Sequence, residues 1–191
     1  MKEKRLSTTY KLMRALGFNY SEEEYGQVSL WDSLKKIYKI YRNAFLVRYV
    51  MRSWILSPFL HRKIRPWALR RMGCKVGKNV FVGDNVFIDT RNPELIEIED
   101  YAHITGHTIL LCHKRDLAKY HIDGNYADLP YKVGKIRLGK GCSTGTGTLI
   151  MPGVTIGEGA IIGAGSLVTK NIPAWTIAIG RPATVVREIP K

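Results

Sequence analysis

Three of the five histidines, His103, His107 and His113, fall within eleven residues, and a carboxylate, Asp116, follows the last of them by three. An imidazole titrates near neutrality. It can take a proton from a hydroxyl at cellular pH and pass it on. A carboxylate bonded to its other ring nitrogen fixes the tautomer and stabilises the imidazolium. Three imidazoles also suit a zinc ion, which needs three protein ligands and an open fourth position for hydrolytic work. Proton transfer at a hydroxyl and metal-assisted hydration are the two chemistries these residues offer. The plain alternative is a set of solvated loop histidines, and His61 and His121 read that way. Cys74, Cys112 and Cys142 form no CxxC pair and are odd in number. That argues against a disulfide framework or a zinc knuckle and fits a reducing compartment. Cys112 and Cys142 read as small core residues.

The elements that hold these residues follow from periodicity. From Val76 the chain reads VGKNVF, VGDNVF and IDTRNP. After an extra stretch it continues IEDYAH and ITGHTI, then LGKGCS, TGTGTL, IMPGVT, IGEGAI, IGAGSL and VTKNIP. Positions 138, 144, 150, 156, 162 and 168 open successive units without a slip. A fixed repeat of this kind marks a stacked architecture. One aliphatic residue per unit points to a shared core. The small residue after it (Gly77, Gly83, Gly139, Gly157, Gly163) is expected to permit a tight turn. Three strands and three turns close one coil of about eighteen residues, and coils must stack to bury their apolar column. Residues 112–135 break the rhythm, and a structureless insertion in a compact solenoid is usually functional.

Residues 1–71 read as a separate basic, helical extension or cap, with 72–191 as the solenoid domain. Leu34, Ile37, Tyr38, Tyr41, Phe45 and Tyr49 recur at helical spacing and predict a helix over 30–56, capped by Asp32 or Ser33 and ended at Ser57-Pro58. A short helix is expected over Pro66 to Arg71, with Gly73 past its end, and another around 8–16.

The run ITGHTILLCHKRDL and the stretch from LGKGCS through PGVTIGEGAIIGAGSLVTKNIP to VVREI closely resemble the hexapeptide-repeat acyltransferases, above all the maltose, galactoside and polysaccharide O-acetyltransferases. The resemblance spans roughly residues 72–189. It implies an all-β solenoid, a left-handed parallel β-helix carrying an N-terminal α-helical extension, assembled as a homotrimer. It implies transfer of an acetyl group from acetyl-CoA, with no metal, to a hydroxyl of a sugar-like or glycan acceptor. His113 takes the place of the general base, and Asp116 is the carboxylate nearest to it in sequence. Asp89 stands near the region where family members supply a polar group to the acceptor. Residue-by-residue matching puts Gly145 and Thr146 beside the thioester and Ala164 on the pantetheine arm. Thr169, Lys170 and Arg187 fall toward the nucleotide, with Arg181 a further phosphate partner. A backbone N–H near Gly145 would face the oxyanion. The chain departs from many relatives at Ser143, where they carry an aromatic residue. Serine or xenobiotic hydroxyls remain alternative acceptors. A zinc hydratase on the same fold remains the alternative chemistry, although His103 and His107 occupy different places in their hexapeptides.

The net charge of +14 is concentrated near the start, where residues 1–75 hold 17 Lys and Arg against 5 Asp and Glu. With Trp31, Trp54, Trp67 and several tyrosines, that segment reads as a cap on the solenoid that also rests peripherally on an anionic membrane. No nucleic-acid-binding signature is present. The first residues lack the apolar core of a signal peptide, and Arg48 and Arg52 break the most apolar window, so a cytoplasmic protein is expected.

Overall fold

A computed structural model describes residues 6–17, 26–52, 60–118 and 120–190. They fall into two compact units, Met1–Asn43 and Ala44–Lys191.

The first unit is helical. Ser7 caps the helix Thr8–Ala15 by accepting from the Tyr10 N–H. The helix Leu30–Phe45 starts two residues before the expected cap. Ser29 Oγ accepts the Asp32 N–H and donates to the Asp32 carboxylate, so Asp32 lies inside the first turn and Ser29 is the capping group. A π-helical turn, Leu46–Val50, follows in the second unit. The predicted helix end at Ser57-Pro58 lies outside the described residues.

The helix Arg65–Met72, which has Pro66 in its first turn and ends at Gly73 in the left-handed region, φ 117°, leads into the strands of the second unit. The chain then visits three faces in turn. Strands Lys75–Val76, Ile96–Ile98, Ile136–Leu138 and Thr155–Ile156 form the first face, in parallel. Strands Phe81–Val82, His103–Ile104, Ser143–Thr144, Ile161–Ile162 and Thr176–Gly180 form the second, also in parallel. Ala183–Glu188 returns antiparallel at its edge. Strands Phe87–Ile88, Ile109–Leu110, Leu149–Ile150 and Leu167–Val168 form the third, again in parallel.

Two residues of each hexapeptide, not one, face the interior. The opening position supplies Val82, Ile98, Ile104, Leu138, Ile150, Ile156, Ile162 and Val168, all buried. The fifth position supplies smaller residues, including Val80, Ala102, Cys142, Val154 and Ala160. Burying one such aliphatic side chain is worth about 1.5–3 kcal/mol, and the stacked column is the core. Cys112 and Cys142 belong to it, as the sequence suggests.

The glycines do a different job from the one expected. Gly77, Gly83, Gly139, Gly145, Gly157 and Gly163 are absent from the positive-φ residues. A Cβ on Gly145 would lie 2.3 Å from the Ala164 nitrogen, and one on Gly83 2.4 Å from the Gly106 nitrogen. The second position is therefore small because the next coil passes against it. The left-handed turn falls two residues later, at Asn79, Asn85, Tyr101, His107, Gly141, Gly147, Gly153, Gly159 and Gly165. Asparagine and glycine tolerate that region best.

Candidate active site

His113 and Asp89 meet at the corner between the third face and the first. Asp89 directly follows the strand Phe87–Ile88, and His113 leaves the corner one coil later. His113 Nδ1 lies 2.5 Å from Asp89 Oδ2. Asp89 is 2% exposed and is fixed from behind. The Arg91 N–H reaches its Oδ1 at 3.2 Å, and Asn92 Nδ2 donates to its Oδ2 at 3.3 Å. Burial alone would raise this carboxyl. The hydrogen bonds from His113 and Asn92, with the charge of His113 and the Arg91 amide, outweigh burial and hold it below the ordinary range. With Nδ1 engaged, Nε2 is the ring atom left for proton transfer.

His113 also begins a β-hairpin. His113–Arg115 pairs antiparallel with Tyr131–Val133, so the insertion is an ordered arm at its base and not a structureless loop. Tyr131 sits edge-on to the His113 ring at 5.2 Å. The Arg115 guanidinium lies over Tyr131 at 4.1 Å and over Tyr126 at 5.6 Å, and it donates to the Leu129 carbonyl. The imidazole is thus held by a carboxylate on one side and a braced aromatic ring on the other.

Asp116, the carboxylate nearest in sequence, is not the partner of His113. Its Oδ1 accepts the Ala118 N–H at 3.1 Å and its own N–H donates to Pro130, so it braces the hairpin. The longer corner after Asp89 hides the true pairing, since Phe87 pairs with Ile109, four residues beyond the eighteen of an unbroken repeat, and the two groups lie 24 apart instead of twenty. Counting by corners, each residue placed by the strand it follows, would have shown both on one edge.

The three histidines do not converge. His103 stacks on Phe81 at 4.1 Å, and Phe81 stacks in turn on His61 at 5.0 Å. Burial and the neighbouring Arg62 hold the His103 ring below its usual value. His107 occupies a left-handed turn at the opposite end of the third face. Among the described residues, no three His, Cys, Asp or Glu side chains are placed to share a metal. Burial pushes the thiols of Cys74, Cys112 and Cys142 up to about 12, which disfavours a thiolate nucleophile.

Residues 135–170 match the family described as bacterial transferase hexapeptide (six repeats). The Staphylococcus aureus (strain Mu50) protein named "Putative acetyltransferase SAV2555" is 39% identical over 116 residues, covering 60% of this chain; the chain spans 55% of that relative's length. "Putative acetyltransferase YvoF" of Bacillus subtilis (strain 168) is 30% identical over 84% of this chain and 86% of its own. The chain belongs to the hexapeptide-repeat transferase family. "Putative colanic acid biosynthesis acetyltransferase WcaF" of Escherichia coli (strain K12) is 31% identical over 69% of this chain and 79% of its own. Two solved structures share the fold. A maltose O-acetyltransferase from Clostridium difficile 630 has a TM-score of 0.62 at 20% identity, over 85% of this chain and 90% of its own. A galactoside acetyltransferase in complex with coenzyme A has a TM-score of 0.57 at 21% identity, over 90% and 92%.

In this hexapeptide-repeat transferase the residues expected at coenzyme A fall into separate groups. Gly145, Thr146, Ala164 and Arg181 line the corner between the second and third faces. Ala164 packs against Gly145, and Arg181 donates to the Gly165 carbonyl at 3.1 Å. The Gly145 N–H is committed to the Ile162 carbonyl at 2.6 Å and is not free to serve an oxyanion. Thr169 and Lys170 are exposed and leave the third face at the corner that carries His113, two coils further on. Arg187 lies on the antiparallel edge strand. One copy therefore places Gly145 and His113 at opposite ends of the third face.

Proposed function

We propose that this chain transfers an acetyl group from acetyl-CoA to a hydroxyl of a sugar or polysaccharide-type acceptor, with His113 as general base. The observation that carries the reading is the 2.5 Å contact from His113 Nδ1 to the buried Asp89 carboxylate. That contact fixes the proton on Nδ1 and leaves Nε2 to accept one. As the acceptor oxygen attacks the thioester carbonyl, its proton passes to Nε2. Collapse of the tetrahedral species breaks the carbon–sulfur bond, and the proton moves from Nε2 to the departing sulfur. An O-acetyl ester and free CoA thiol result. Asp89 is the positioning residue that stabilises the imidazolium between the two transfers.

Family membership supports the transferase class, and the names of the Bacillus and Escherichia relatives support acetyl as the acyl group. The likeness in fold to sugar acetyltransferases supports a left-handed winding of the coils. The exposed ring of Tyr131 beside His113 suits a sugar face. Lys170 and Arg187 remain cationic partners for the CoA phosphates. Gly145 and His113 occupy different corners, which fits a homotrimer with each donor groove lying between neighbouring copies. Three free, buried cysteines fit a cytoplasmic location.

The test is thiol release from acetyl-CoA across a panel of sugar acceptors. His113→Ala is expected to lose roughly two to four orders of magnitude in rate, the usual contribution of a general base. An unchanged rate would remove His113 from the mechanism.

A further inference from the structure

The helix Leu30–Phe45 exposes the side that a surface helix normally hides. At 3.6 residues per turn, Leu30, Leu34, Ile37, Tyr38, Tyr41 and Phe45 share one arc of about 100°, with Trp31 at its edge. All seven are between 48% and 73% exposed. The residues this helix buries are Ser33 and Asn43. Polar groups inside and large apolar groups outside reverse the ordinary arrangement. A contiguous patch of this kind marks an interaction surface.

The flanking residues identify the partner. Lys35 and Arg42 flank one side of the arc, while Lys36 and Lys39 lie across the helix from it, and Asp32 is the one acid within the helix. Lys35 Nζ stands 5.5 Å over the Trp31 ring. A second copy of the same face would set these cations against one another. A bilayer carrying anionic headgroups takes both features at once. The apolar arc enters the headgroup boundary, Trp31, Tyr38 and Tyr41 sit at the depth aromatic rings favour, and the cations meet lipid phosphates. Among the described residues no helix is long and apolar enough to cross a membrane.

We propose that this face of the Leu30–Phe45 helix lies on the surface of an anionic lipid bilayer. The test uses the full chain in flotation with vesicles of phosphatidylcholine alone and of phosphatidylcholine with phosphatidylglycerol. The protein is expected to float with the mixed vesicles and stay behind with the neutral ones, and to be released by salt. Lys35→Glu, which reverses the exposed charge beside Trp31, should weaken partition by about fivefold or more, since each basic residue near the surface is worth about fivefold. Ile37→Asp with Tyr41→Asp should abolish it. Lys35, Ile37 and Tyr41 are exposed in the described structure, and helix content and thiol release are expected to stay unchanged. Failure of the wild type to float, or flotation of the Ile37/Tyr41 variant equal to wild type, overturns the proposal. So does a change of oligomeric size in that variant with flotation intact, because the face then joins copies of the chain.

Discussion

Replacing Asp89 by asparagine keeps the shape of the site and reverses its proton logic. The Arg91 N–H donates to one carboxylate oxygen, so the asparagine must present its carbonyl there. Its NH2 then faces His113 Nδ1. That nitrogen must become the acceptor, which puts the ring proton on Nε2 and closes the atom that has to receive one. Two losses combine. A charge-assisted hydrogen bond is worth about 1.5–3 kcal/mol, or roughly 10–150-fold in rate at about 1.4 kcal/mol per decade. The wrong tautomer adds a further penalty, and the same substitution in a serine-hydrolase triad costs about 10⁴ in kcat. We therefore expect Asp89→Asn to lower kcat by about 10²–10⁴, with KM for acetyl-CoA within about threefold of wild type because the expected CoA contacts lie elsewhere. The assay is thiol release at saturating acetyl-CoA across pH. The acidic limb that reports base protonation should move in the variant, a change that a merely destabilised protein would not show. A kcat within threefold of wild type and an unshifted profile would refute the role given to Asp89.

Three further outcomes follow from other parts of the molecule. Gly145→Ala forces a Cβ to within 2.3 Å of the Ala164 backbone, whereas Gly147→Ala meets nothing within 4 Å and suffers only its positive φ of 72°. Thermal unfolding should show the first as the costlier, by more than the roughly 1–2 kcal/mol expected of the second. The three cysteines, with thiols pushed up to about 12, should resist iodoacetamide in the native protein and all react once it is unfolded, as mass spectrometry would show. The Asp89 carboxyl is held below its ordinary 3.8 in the folded chain. Its contribution is thus fully present above that value and is lost as pH falls through the lower folded one. Below pH about 4, wild type should lose stability faster than Asp89→Asn in denaturant titrations.

The stacked coils were legible because one physical constraint, a buried side chain at every sixth place, writes itself into the sequence without help from distant residues. His113 was legible at the edge of a broken rhythm. Asp89 was not, because its pairing depends on how long a corner runs, and no local pattern sets that length. The reason for the small second position was also out of reach. A glycine at a tight turn and a glycine under a passing backbone look alike until the neighbouring coil is in place. Ser29 shows the same limit on a smaller scale. Three candidate cap residues lie within five positions, and only the backbone decides which side chain reaches the free N–H.

The Gly134 N–H donates to the Cys112 carbonyl at 2.9 Å, closing the rung as though residues 113–133 were absent. The scaffold thus treats the arm as an appendage sewn on at a single seam. Beyond the paired base that carries His113 and Tyr131, its tip can drift in length and sequence while the stack beneath keeps its pitch. In a molecule built this way, what the tip of the arm touches can change at a pace of its own, uncoupled from the coils that carry Gly145 and Ala164.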